Sequence, residues 1–204
     1  MFKFSTFIKD ISLIKKTMMV STLIFIIGIV VGWLSTESIA QFVNQQLEGI
    51  RQISQSLSES DRPQWSFFMF IFWNNSIKAV LIIFLGIFLG ILPIIFLMIN
   101  GMVLGYLVHH LSIQGESMFD VIVKGLLPHG IIEIPAIIIA CAFGLRLGTL
   151  VWISIGQWNR EKRANLGEVW SGFFKRVGPI SLWIVILLFI AAIIESTITF
   201  WLMQ

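Results

Sequence analysis

Residues 65–111 read WSFFMFIFWNNSIKAVLIIFLGIFLGILPIIFLMINGMVLGYLVHHL, 47 positions in which Lys78 is the only Lys, Arg, Asp or Glu. One bilayer crossing takes about 20 apolar residues, so this stretch crosses twice. Pro93, with Gly86 and Gly90 before it, marks the expected turn, because proline interrupts a helix and glycine accepts tight-turn backbone. The expected spans are therefore 76–92 and 94–111, with Trp65–Trp73 as an interfacial or re-entrant lead-in.

The same reading extends outward. Lys15 and Lys16 precede an apolar run, 18–34, and Ser38, Ile39 and Ala40 loosely resemble a signal-peptide cleavage site. The run exceeds the roughly 7–15 residues of a signal h-region, so it reads as the first span. Segment 35–64 places Phe42, Leu47, Ile50, Ile53 and Leu57 at helical spacings among Gln, Ser and Glu, and ends at Asp61-Arg62-Pro63. That pattern fits an amphipathic helix on the membrane surface or against the bundle. Beyond the polar loop Ser112–Asp120, the apolar region from Val121 is interrupted by Pro128, Gly130, Pro135 and Gly144. It reads as a short lead-in, a crossing over 131–145, and an interfacial stretch around Trp152 and Trp158. The last span is expected over 179–201, anchored by Trp183 and Trp201, with Glu195 inside it. The expected fold is thus an all-α polytopic membrane protein of five transmembrane helices with interfacial or re-entrant segments. A sixth span is the alternative, if Leu147–Trp158 crosses independently.

Composition agrees. The chain has 204 residues, 57% of them hydrophobic and 12% charged, against about 25% charged in soluble domains, and its mean hydropathy is +0.91. A soluble enzyme of this size would lack the polar residues to clothe its surface. A net charge of +3 argues for no nucleic-acid partner. Cys141 is the single cysteine and lies in an apolar run, so it says nothing of redox compartment.

Ten of the 14 basic residues fall on one side of the five-span scheme: Lys3, Lys9, Lys15 and Lys16 at the N-terminus, and Arg146, Arg160, Lys162, Arg163, Lys175 and Arg176 in segment 146–178. By the positive-inside bias this side is cytoplasmic, which puts the N-terminus inside and the C-terminus outside.

Glycine recurs at i and i+4 as Gly28/Gly32, Gly86/Gly90, Gly101/Gly105 and Gly144/Gly148. Such pairs let membrane helices approach closely. Packing within the bundle is the expected role, and self-association into a homo-oligomer is the alternative.

The chemistry concentrates in Pro128-His129-Gly130-Ile131-Ile132-Glu133-Ile134-Pro135. In a helix His129 and Glu133 share a face, and ionisable groups within a span are costly enough to suggest function. The pair can tie down backbone freed by Pro128 and Pro135, couple protons to a conformational change, or contribute to a metal or catalytic site. A metal would need another ligand, for which His109 and His110 show no recognisable spacing. Asn75 and Asn100 are the other polar groups in the expected functional cluster, with Asn74 beside them. They act either as hydrogen-bonding glue between helices or as the lining of a polar path. No catalytic set, cofactor motif or metal motif is present in the sequence, so the expectation is a non-enzyme without cofactor.

Asn74-Asn75 at the head of a span, Gly86-x3-Gly90, Asn100-Gly101-x3-Gly105 and Pro128-His129-Gly130-x2-Glu133-x-Pro135-Ala136 together resemble the stage II sporulation protein M family, also called DUF95. The resemblance implies a multi-pass protein of the bacterial cytoplasmic membrane. Its sporulating relatives act with peptidoglycan-degrading partners, and others are associated with bacteriocin export and immunity or with ABC-type ATPases. Two functions follow as expectations. The first is a membrane organiser that recruits protein partners and contacts membrane lipids, in part through the basic segment Asn159–Arg176. The second is a subunit of a lipid or peptide transporter working with an ATPase. A continuous cavity lined by Asn75, Asn100, His129 and Glu133 would favour the second, and a dry interior the first.

Overall fold

The computed structural model describes residues 3–34, 37–115, 117, 119, 121–156 and 166–199, and these are almost wholly helical, with no strand among them. The helices are α1 (Phe4–Leu13), α2 (Lys15–Trp33), α3 (Glu37–Ser58), α4 (Pro63–Leu85), α5 (Ile91–Ile113), α6 (Leu127–Gly156) and α7 (Leu166–Ile194). Five of them, α2 and α4 to α7, are long and apolar enough to cross a membrane. In hydrocarbon every backbone N–H and C=O must be satisfied within the segment, and helices achieve this. The amphipathic stretch expected over 35–64 is occupied by α3.

The helix limits differ from the expected spans. The turn falls at residues 86–90 rather than at Pro93, because Leu89 and Gly90 take positive φ angles of 57° and 80°. Pro93 then sits in the first turn of α5, where its missing N–H costs no hydrogen bond. Trp65–Trp73 is no separate lead-in: Pro63 opens α4, which runs unbroken to Leu85. The region expected as a lead-in before Pro128, a crossing over 131–145 and an interfacial stretch around Trp152 is one 30-residue helix, α6, preceded by a π-helical segment Val121–Leu126. Pro128 falls in its first turn, and Pro135 removes one N–H without ending it, since leaving the helix in lipid would expose several more. Residues 147–156 are the last turns of α6 and form no sixth span. Pro179 lies inside α7, which starts at Leu166 and is followed by a π-helical segment Glu195–Thr199. Most of segment 146–178 is therefore helix, while Trp158, Arg160, Lys162, Arg163 and Trp201 lie outside the described residues.

The bundle is built around α6. Ala136 and every residue from Ile138 to Leu145 are buried, whereas α2, α4 and α7 turn Leu23, Ile27, Leu81, Phe84, Leu182 and Phe189 outward, as lipid-facing helices do. Two glycine seams close the packing. On α2 and α5, Gly28 abuts Met98 and Gly101, and Gly105 lies against Ile29. On the other side, Gly86 lies against Gly144 and Gly90 against Gly148. A Cβ on Gly144 would stand 2.8 Å from the Ile82 carbonyl oxygen, so only glycine permits this approach of α4 and α6.

Outside the spans, α1 rests on α7. Phe4 and Phe7 bring their rings to 5.2 and 5.7 Å from that of Trp183, and Asp10 pairs with Arg176. Because the spans alternate in direction, α1, the 86–90 turn and the start of α7 gather at one end of the bundle. The start of α4 and of α6, together with α3 and the end of α7, form the other.

Candidate functional site

At the α3 end, Asn75 in α4 donates from Nδ2 to Oε1 of Glu133 in α6 at 2.8 Å. Asn74 in turn donates from Nδ2 to Oδ1 of Asn75 at 3.3 Å. Two carboxamides therefore form a short relay ending on the carboxylate. The local cause is the helix itself: Glu133 stands two turns into α6 and Asn75 midway along α4, and the Gly86–Gly144 seam draws these helices together further down. A buried carboxylate is costly unless hydrogen-bonded, and Asn75 supplies that bond.

These residues face a cavity of about 690 Å³ that is also lined by Lys78, Asn100 and Glu195. Lys78 lies one turn beyond Asn74 on α4, and Glu195 opens the π-helical segment after α7. Lys78, Glu133 and Glu195, from three helical segments, thus line one cavity. The rest of the lining is mostly apolar and includes Phe67, Phe70 and Ile71 of α4 and Phe96, Val103 and Leu104 of α5. Ile53, Ser54 and Leu57 of α3 complete the rim, and α3 is tied to the bundle where Tyr106 Oη donates to Asn44 Oδ1 at 3.1 Å. An amphipathic cavity of this kind suits a molecule with a polar group and a hydrocarbon body.

The expected polar cluster is thus brought together in part. Asn75 and Glu133 are directly bonded. Asn100 lines the same cavity but donates to the Phe96 carbonyl one turn back at 2.7 Å, not to Glu133. The backbone of His129 lies four residues before Glu133 in α6, and its side chain lies outside what the structure describes. Of the expected packing residues, Gly86, Gly90, Gly101 and Gly105 sit in the seams. Gly130 does not: a Cβ there would meet only Ile134 of its own helix at 3.6 Å. Pro135 is exposed and Pro128 half-buried. Among the described residues no three His, Cys, Asp or Glu side chains gather as metal ligands.

Sequence reasoning noted Glu195 and Lys78 but had no means to place them beside Glu133, since they lie on three different helical segments. It also missed the seat of α1 on α7. The signal for that seat was present in Phe4, Phe7, Ile8 and Ile11, spaced three and four apart.

A family model described as stage II sporulation protein M matches residues 21–200. An uncharacterized protein of Methanocaldococcus jannaschii is 26% identical over 186 residues, covering 91% of this chain and 94% of the relative. That relative is archaeal, so the likeness does not carry a bacterial source. No solved structure matches the chain.

Proposed function

Because the chain belongs to the stage II sporulation protein M family, we propose that it is the membrane subunit of a transfer system, binding a lipid or peptide of amphipathic character in the cavity between α4, α5 and α6. The observation that carries this reading is the cavity itself, which Asn75, Asn100, Glu133 and Glu195 line together with aromatic and aliphatic side chains. Ionisable groups at membrane depth are costly and commonly mark substrate or ion pathways, and a dry interior was the expectation for a pure organiser. We further infer an inward N-terminus and outward C-terminus from the Lys and Arg distribution, which opens the cavity toward the extracytoplasmic side. Energy for transfer would come from a partner such as an ABC-type ATPase, since the sequence holds no nucleotide-binding motif of its own.

Recruitment of partner proteins, including cell-wall-remodelling factors, is the second reading, supported by the amphipathic α1 with Lys9 on it and Lys3 and Lys15 flanking it, at the end inferred to be cytoplasmic. Mass spectrometry of the protein released from native membranes separates the two. Transfer expects a bound amphiphile that is lost in the Glu133→Gln variant while the variant stays folded. Partner proteins that co-purify regardless of Glu133, with no bound amphiphile, would replace transfer with recruitment.

A further inference from the structure

At the opposite end of the bundle a second cavity, of about 310 Å³, opens between the α1–α2 junction, α6 and α7. Its volume lies near the lower bound of small-molecule sites, about 300–1,000 Å³. Four charged side chains line it: Asp10, Arg146, Glu168 and Arg176. Two of these satisfy each other, for Arg176 Nε lies 3.4 Å from Oδ1 of the buried Asp10.

The other two do not. Arg146, half-buried on α6, and Glu168, exposed in the first turn of α7, share the cavity without forming an ion pair. Neither makes a hydrogen bond or ion pair with any described residue. Arg146 shares this lining with Phe143, Leu150 and Phe173, and a guanidinium among apolar groups is costly to leave without an anion. A simple anion is opposed by Glu168, and a simple cation by Arg146. A ligand that carries both signs can satisfy both side chains.

We propose that this cavity binds the phosphoethanolamine headgroup of a membrane phospholipid, with its phosphate on Arg146 and its primary ammonium on Glu168. The planar fork of arginine matches two phosphate oxygens, and the ammonium offers N–H donors to the carboxylate, which a quaternary choline lacks. The rim explains why the ligand is a lipid rather than a soluble zwitterion. Leu13 and Val169 are exposed at its edge, continuing the apolar surface along which acyl chains lie. The site shares no residue with the first cavity and stands apart from its proposed role.

Native mass spectrometry of the purified full chain, mixed with equimolar phosphatidylethanolamine, phosphatidylcholine and phosphatidylglycerol of identical acyl chains, tests the assignment. Retention of phosphatidylethanolamine about tenfold above the other two is expected, the size of one charge-assisted hydrogen bond. Arg146→Gln should lower retention of all three. Glu168→Gln, at an exposed position that leaves folding intact by thermal unfolding, should bring phosphatidylethanolamine down to the level of phosphatidylglycerol. Equal retention of the three lipids by the unaltered protein, or an ethanolamine preference that survives Glu168→Gln, overturns the proposal. Displacement of the lipid by soluble phosphoethanolamine at matched concentration overturns the lipid assignment.

Discussion

Asn75 and Glu133, 58 residues apart in the chain, are joined by a 2.8 Å hydrogen bond that links the second and fourth membrane-spanning helices. The bond does two things at once. It gives a carboxylate at membrane depth a donor, and it ties α4 to α6 at the wall of the larger cavity.

Substitutions at Glu133 separate structure from function. Glu133→Gln keeps the shape and a carbonyl acceptor for Asn75, so abundance and thermal stability should remain close to those of the unaltered protein. Glu133→Ala leaves the Asn75 amide without its acceptor and should lower stability by about 1 kcal/mol, since hydrogen bonds between membrane helices average about 0.6 kcal/mol and rarely exceed about 1.7. If the carboxylate serves transfer, both variants lose it. A folded, fully active Glu133→Ala variant would show that the bond is packing alone.

The glycine seams predict opposite outcomes at two helical glycines. Gly105→Leu drives a side chain into the backbone of Ile29, which cannot rotate away, so α2 and α5 must separate at a cost of about 1–3 kcal/mol or more. Gly178→Ala in α7 meets nothing within 4 Å and should be neutral or stabilising by about 0.5–1 kcal/mol through helix propensity. Thermal unfolding in detergent measures both. Equal stabilities would mean that the seam yields.

Topology can be read with accessibility reporters. A tag within residues 157–165 and one after Gln204 should lie on opposite sides, because α7 crosses between them. A tag at Met1 should share the side of the first. Finding the first two tags on the same side would remove α7 as a crossing.

The tie between α3 and the bundle is the Tyr106 hydroxyl on Asn44. Tyr106→Phe removes that bond while keeping the ring, which also stacks on His110 at 5.3 Å. Hydrogen exchange across Glu37–Ser58 should quicken, while global stability falls by about 1 kcal/mol or less. Unchanged exchange over α3 would mean that Val43, fully buried, and its apolar neighbours hold the helix without the hydroxyl.

Hydropathy alone was enough for the class and for the number of crossings. The length of an apolar run and the need to satisfy its backbone are local properties, summed residue by residue along 65–111 and its neighbours. The four glycine pairs and the acidic Glu133 within a span were legible for the same reason, as were Asn75 and Asn100. Helix limits were less so: Pro93 read as a turn, Pro135 as an interruption of its apolar run and Pro179 as the start of a span, yet each lies within a helix, because proline in a first turn costs little and proline in lipid still leaves helix as the cheapest backbone. Which faces meet could not be read at all. That Gly28 and Gly32 run along the α5 seam of Gly101 and Gly105, while Gly86 and Gly90 meet Gly144 and Gly148, depends on competition among whole-helix packings. The same competition sets Glu195 beside Glu133 and leaves Arg146 and Glu168 sharing one cavity without touching. Such juxtapositions arise between residues far apart in the chain, so no window along the sequence contains them.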